Sequence, residues 1–275
     1  MSDIQTPKSV PDLIKLIAKY GKRSVLVSGV DASAANAPAG KVVIDLTGIE
    51  PLNEIELKRD KVTIGTGVNL GRVARDAVGE NGLLRQAASI IANPLVRNRV
   101  TLVEALRPGS PYFDITTPLV LLEAKVRLQS AAGRRTMPIR DFLEATAKGL
   151  KKGELPTALE FSPLHPQQKV AFFRVASVGA KGSVSAAIRM KLIRMVCLEP
   201  EIVVSSLRLI PLRAKLSEKE LAGKPANEES IKKASQVAAE EILALAKKDN
   251  AYERSLIEIA VARTLRGIIE GGMPA

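Results

Sequence analysis

Hydrophobic positions along the chain switch repeatedly between helical and strand spacing, and each switch marks an element boundary. Over residues 9–20, Val10, Leu13, Ile14, Ile17 and Ala18 recur at helical spacing. Ser9 offers an N-cap oxygen, Pro11 sits in the first turn and Gly21 follows the end, so this stretch reads as a helix. The apolar run 24–28 predicts a strand that opens into a small-residue loop over 29–40, and a second strand follows at 41–46. Residues 55–66 alternate, with a hairpin turn at Arg59-Asp60. Helical spacing returns over 70–78 and 83–91. Residues 117–129 begin apolar and then alternate, the chain turns at 132–134, returns as a strand over 135–139 and becomes helical over 139–146. Glycines and prolines mark 148–166 as connectors around a strand at 158–161. Strand patterns then cover 182–192 and 202–212, and helical faces cover 228–246 and 252–270. Strands first and helices last predict an α+β C-terminal domain.

With 275 residues, 46% of them apolar, the chain is long enough for one large or two ordinary domains with their own cores. No stretch approaches the roughly 18–20 uncharged apolar residues of a membrane span. The opening ten residues carry no basic region followed by an apolar one, and a lone cysteine, Cys197, forms no internal disulfide. A cytoplasmic protein is the expectation. One cysteine and one histidine, His165, exclude an iron–sulfur cluster, a cysteine-based zinc site or a multi-histidine metal site held by these residues alone. Any redox chemistry here falls to an organic cofactor. The formal charge of +12 is spread rather than clustered, and only 3% of residues are aromatic, without tryptophan. That inventory is poor for stacking on bases, so an acidic partner chain explains the charge better than nucleic acid. His165, flanked by prolines in a connector, is a poor catalytic candidate. Cys197, in an apolar stretch, reads as a small buried hydrophobe. No paired carboxylates and no Ser/His/Asp arrangement suggest a general acid or base.

Several short motifs follow one another in a recognisable order. Pro7-Lys-Ser9 precedes a helix ending at Tyr20-Gly21; Lys41-Val-Val-Ile-Asp-Leu-Thr-Gly-Ile49, Val62-Thr-Ile-Gly65 and Asn69-Leu70 follow. Then come Ile91-Ala-Asn-Pro-Leu-Val-Arg-Asn98, Ser110-Pro-Tyr-Phe-Asp114 with Pro118, Leu221-Ala-Gly-Lys-Pro225, Tyr252-Glu-Arg254 and Val261-Ala-Arg-Thr-Leu265. In order and spacing, over nearly the whole chain, they resemble the FAD-binding medium subunit of the molybdenum hydroxylases, the xanthine and carbon monoxide dehydrogenase family. The resemblance implies an α+β chain: a two-subdomain FAD-binding fold of the PCMH type, followed by an α+β domain with a small antiparallel sheet and helices. The expected divisions are 1–52, 53–166 and 167–275. It further implies a large molybdopterin subunit and a small iron–sulfur subunit as partners, with molybdopterin and clusters confined to them. FAD would pass electrons from the clusters to an external acceptor. A diverged docking subunit that has lost the flavin is the alternative.

A buried pyrophosphate needs converging backbone N–H groups, which glycine loops supply. The family's first such loop, AGGT, corresponds here to Ser28-Gly29-Val30-Asp31, with one glycine kept. Its second, TIGGN, corresponds to Thr101-Leu102-Val103-Glu104-Ala105, with both glycines gone. Val103 disfavours positive φ, and Glu104 sets a negative charge beside the expected anion. A turn or helix entry is therefore favoured over a phosphate loop at 103–104. Asn98 and Thr101 are candidate phosphate contacts or turn residues. Asp114 matches the family aspartate expected near ribityl or ribose hydroxyls, or else is a helix N-cap. Arg97 suits a phosphate, a partner or solvent, and Asp31 and Ser33 are more readily caps than ligand contacts. Ser28, Gly29, Val30, Asp31, Asn98, Thr101, Leu102 and Asp114 form the expected cofactor-binding set.

Overall fold

A computed structural model describes residues 3–27, 40–76, 82–151, 153–176, 183–206, 210–247 and 250–271. The N-terminal unit is a three-stranded parallel sheet, β1 (Asp3–Gln5), β3 (Val42–Asp45) and β2 (Ser24–Val27), with β3 central. Helix α1 (Val10–Tyr20) packs on it. The helix begins where the Ser9 side chain accepts from the Asp12 amide, with Pro11 in its first turn. It ends at Gly21, whose φ of 53° suits glycine. Val10, Leu13, Ile44, Ile49 and Leu52 form a small core there. The opening strand β1 is an addition to the sequence pattern; with three residues it is too short to register as a period.

The second unit is a five-stranded antiparallel sheet in the order β4 (Ile55–Leu57), β5 (Val62–Gly65), β8 (Leu155–Phe161), β6 (Lys125–Ser130) and β7 (Gly133–Pro138). Between β5 and β6 run α2 (Leu70–Arg75), α3 (Leu83–Ile91) and three short helices, α4 (Pro94–Arg97), α5 (Leu102–Ala105) and α6 (Thr116–Leu121). Helix α7 (Ile139–Lys148) follows β7. The apolar start at 117 is helix α6, and the alternating part that follows is β6; a continuous apolar run alone does not distinguish a buried helix from a strand. One expectation needs correction: the strand expected at 158–161 starts at Leu155 and lies at the centre of the sheet, between β5 and β6.

The third unit is a four-stranded antiparallel sheet, β12 (Leu212–Arg213), β11 (Val196–Ser206), β10 (Ser183–Ile193) and β9 (Gln168–Ala176). Against it pack α8 (Lys215–Leu221), α9 (Glu228–Leu245) and α10 (Ala251–Glu270). Buried residues of β10 and β11, the alanine-rich face of α9 and the larger aliphatic face of α10 make its core. The expected long helices and α+β arrangement are present. Strand β9 went unread in the sequence, and β11 begins at Val196, six residues before the expected start. Part of this sheet faces the other way: Phe172, Ala187 and Val203 belong to the core of the second unit.

Two glycines seat the N-terminal unit against the second. A Cβ on Gly65 would lie 2.3 Å from the Leu52 carbonyl oxygen, and one on Gly67 would lie 2.9 Å from the same atom. The Gly65 amide donates to the Glu54 carbonyl at 2.8 Å and the Gly67 amide to Leu52 at 2.8 Å. No side chain fits between the strand end and the turn at 50–52.

Candidate functional site

Above that seam the first two units enclose a cavity of about 270 Å³. This is just under the lower end of the roughly 300–1,000 Å³ typical of ligand pockets. Leu13, Leu26, Leu46 and Leu52 line it from the N-terminal unit. Phe142, Thr146 and Leu150 line it from α7 and the residues after it, and Leu155, Pro156 and Thr157 from β8. Thr66, Gly67, Val103, Glu104, Leu106 and Arg107 complete the wall. The lining is dominated by aliphatic side chains, which suits an apolar or planar guest. Its charged groups are Glu104, Arg107 and Glu154.

The loop at 101–104 reaches this wall by pairing with residues 66–70. The Leu70 amide donates to Val100 O at 2.8 Å, Leu102 N to Val68 O at 2.9 Å and Val103 N to Thr66 O at 2.9 Å. The Thr101 amide donates to Glu104 Oε2 at 2.7 Å, and the Thr101 hydroxyl donates to the same oxygen at 2.8 Å. Thr101 and Glu104 form a reciprocal capping box in which the Glu104 amide turns to the threonine side chain. Thr101, Leu102 and Glu104 are buried. The loop is thus the helix entry favoured by its sequence. The four backbone N–H groups of 101–104 are all satisfied within the protein, so this loop does not fit a pyrophosphate. The corresponding first loop, Ser28, Gly29, Val30 and Asp31, lies outside the described residues, as does Ser33.

Asp114 is buried in the 3-10 turn Phe113–Ile115 and caps no helix, which corrects that reading. Its carboxylate instead receives Arg174 Nε at 2.5 Å, the Ser183 hydroxyl, and the Ser185 hydroxyl at 3.2 Å. The Ser185 hydroxyl also meets that of Thr117 at 2.8 Å. Arg174 lies on β9, Ser183 and Ser185 on β10, so Asp114 ties the second unit to the third. A carboxylate has about four acceptor sites, and three are taken here.

Asn98 ends α4 and is exposed; its Oδ1 accepts from Arg75 Nη1 at 3.1 Å. Arg97 donates to the carbonyls of Ser89 and Ala92, closing the end of α3. It therefore acts as a helix C-cap donor rather than as a cation left for phosphate. Of the expected set among the described residues, Asn98, Thr101, Leu102 and Asp114 do not line the cavity, whereas Val103, Glu104 and Arg107 do. The spacing Thr101-x-x-Glu104 before an apolar residue was the available signal for the cap. No local signal marks the pairing of Asp114 with Arg174, sixty residues on. Among the described residues no group of three or more His, Cys, Asp or Glu side chains could hold a metal ion. No described helix is long and apolar enough to cross a membrane.

Comparison with known proteins bears on what this cavity serves. The family model described as "FAD binding domain in molybdopterin dehydrogenase" matches residues 1–162. The xanthine dehydrogenase FAD-binding subunit of Escherichia coli O157:H7 is 28% identical over 177 residues, covering 61% of this chain and 60% of that subunit. The glyceraldehyde dehydrogenase medium chain of Sulfolobus acidocaldarius is 25% identical over 193 residues, 69% of each chain. The chain therefore spans about three fifths of the length of the xanthine dehydrogenase subunit it matches. In fold the likeness runs end to end. A chain of quinoline 2-oxidoreductase from Pseudomonas putida 86 superposes with a TM-score of 0.83 at 21% identity, covering 99% of this chain and 98% of that one. A chain of the Hydrogenophaga pseudoflava carbon monoxide dehydrogenase that lacks the Mo-pyranopterin moiety gives 0.80 at 23% identity, covering 98% and 97%.

Proposed function

Because the chain belongs to the family of FAD-binding domains in molybdopterin dehydrogenases, we propose that it is the medium, flavin-type subunit of a molybdopterin-dependent hydroxylase or dehydrogenase complex. The observation that carries this reading is the family match over 1–162, which embraces both walls of the cavity. In this reading residues 1–52 and 53–166 are the two flavin-binding subdomains, and 167–275 is the C-terminal domain. The partners are a large molybdopterin subunit, where substrate is oxidised, and a small iron–sulfur subunit that delivers electrons. The complex is cytoplasmic. FAD, when bound, supplies the redox chemistry that this chain's own side chains lack. The pyrophosphate contacts are assigned, on sequence alone, to Ser28, Gly29, Val30 and Asp31. The aliphatic cavity wall excludes water. Asp114, through Arg174 and the two serines, holds the C-terminal sheet against the second unit.

The internally satisfied loop at 101–104 favours a second reading, a docking subunit of the same kind of complex that has given up the flavin. One purification separates the two. The tagged chain is isolated from its native cells, the co-purifying chains are identified by mass spectrometry, and the complex is examined for flavin absorbance near about 450 nm. A molybdopterin chain, an iron–sulfur chain and releasable FAD support the first reading. The same chains without flavin support the second. Isolation without either partner overturns both.

A further inference from the structure

Resting on the flavin-subunit reading, we propose that Glu104 is a built-in anion that competes with the flavin's pyrophosphate for loop 101–104. FAD in this subunit is then an exchangeable ligand rather than a resident one. A phosphate oxygen placed on this loop would need the donors that Glu104 Oε2 already holds, the Thr101 amide at 2.7 Å and the Thr101 hydroxyl at 2.8 Å. The remaining amides are committed as well, Leu102 to Val68 and Val103 to Thr66. An incoming phosphate must therefore displace a carboxylate tethered three residues from its donors. Tethering gives that internal competitor a high effective concentration, which no rinse removes.

Burial adds to occupancy. Glu104 is buried on the wall of the cavity, and the same residue lines a neighbouring pocket with Val100, Arg107 and Tyr112. Its contacts with Thr101 therefore lie where water competes little for them. Val103 adds a steric term, since its β-branched side chain lines the cavity where a glycine would leave the backbone open. The proposal concerns affinity and exchange, not the flavin's chemistry.

The test is a set of binding titrations on the full-length chain with FAD, ADP and riboflavin, comparing the wild type with Glu104→Gln and with the Val103→Gly/Glu104→Gly double variant. Glutamine retains an acceptor for the Thr101 amide and so preserves the cap while removing the charge. The double variant removes both. Wild-type protein is expected to lose FAD on desalting. The double variant is expected to bind FAD and ADP roughly tenfold more tightly or better, because the Thr101 donors are freed for phosphate, and Glu104→Gln by a few-fold, because a neutral amide oxygen holds those donors less tightly than a carboxylate and is displaced more readily. Riboflavin, which has no phosphate, is expected to bind all forms alike. Melting curves confirm that each variant is folded; if the double variant is not, Glu104→Gln decides alone. Wild-type protein that keeps one FAD through desalting overturns this proposal and leaves the flavin reading standing. Folded variants that do not tighten FAD also overturn it. FAD binding by none of the forms overturns both together.

Discussion

Removing the Asp114 carboxylate tests how the C-terminal sheet is held to the second unit. In Asp114→Ala three donors lose their acceptor at once: Arg174 Nε at 2.5 Å, the Ser183 hydroxyl and the Ser185 hydroxyl at 3.2 Å. Breaking one side of a fully buried ion pair costs about 3–5 kcal/mol, chiefly because the surviving charge is stranded. The Arg174 side chain is 22% exposed while that of Asp114 is 6%. The arginine can therefore turn partly to water, which moves the expectation to the lower end, about 3 kcal/mol. Ser185 keeps Thr117 as a partner at 2.8 Å and loses less. Asp114→Asn retains an acceptor oxygen and should cost about 1–2 kcal/mol. The assay is equilibrium urea unfolding followed by far-UV circular dichroism. Arg174→Met and the double variant complete a thermodynamic cycle. The coupling energy should fall at about 1–3 kcal/mol, so that the double variant is more stable than additivity predicts. A loss below about 1 kcal/mol for Asp114→Ala, or a cycle additive within about 0.5 kcal/mol, would refute the reasoning.

Three further outcomes follow from packing and charge. Gly65→Ala should cost about 3 kcal/mol, the upper end for overpacking, because the new Cβ meets the Leu52 carbonyl carbon at 2.5 Å and its oxygen at 2.3 Å. Gly71→Ala should cost under about 1 kcal/mol, since the atom it meets at 2.2 Å is the movable Oδ1 of Asn98; comparable melting temperatures for the two variants would contradict this contrast. On β8, burial alone would raise the Glu160 carboxyl, yet Arg127 on β6 and Lys61, just before β5, together hold it below its ordinary value of 4.5. A carboxyl depressed by folding stabilises above its unfolded pKa and loses that contribution as pH falls through the folded one. Glu160→Gln should therefore cost about 1 kcal/mol at pH 7 and nothing once wild-type Glu160 is protonated, well below pH 4.5; a cost independent of pH would disprove the linkage. Burial pushes the Cys197 thiol up, so it should resist a thiol-specific dye in native protein and react fully in denaturant. Rapid native labelling would contradict its place in the core.

What the sequence disclosed and what it withheld divide along physical lines. Helices α1, α3, α9 and α10 were legible because each buries one face against a sheet and keeps a polar one, with Ser9, Asn227 and Asn250 supplying caps. Strand β8 was understated because Leu155, Pro156 and Thr157 sit among glycines and prolines that read as connectors. Strand β9 was missed because Phe172 and Ala171 are buried on opposite faces, toward two different cores, which erases alternation. At the cavity, the missing glycines of 101–105 were visible by comparison with the loop of the family the sequence resembles. That the Glu104 carboxylate would turn back onto Thr101, and that Asp114 would be answered by β9 and β10, depends on side-chain direction and on contacts distant in sequence.

The seam at Gly65 and Gly67 bears on how such a cleft changes over time. Its floor is a joint of peptide plane on peptide plane, with Leu52 O on one side and two residues without side chains on the other. The gap above it is consequently fixed by van der Waals radii, a quantity that drift in the surrounding aliphatic side chains cannot retune. Loops on the rim are then free to gain or lose affinity for a guest while the spacing of the two walls stays constant. A subunit built on such a joint can surrender a ligand, or recover it, through a few rim substitutions and without refolding either half.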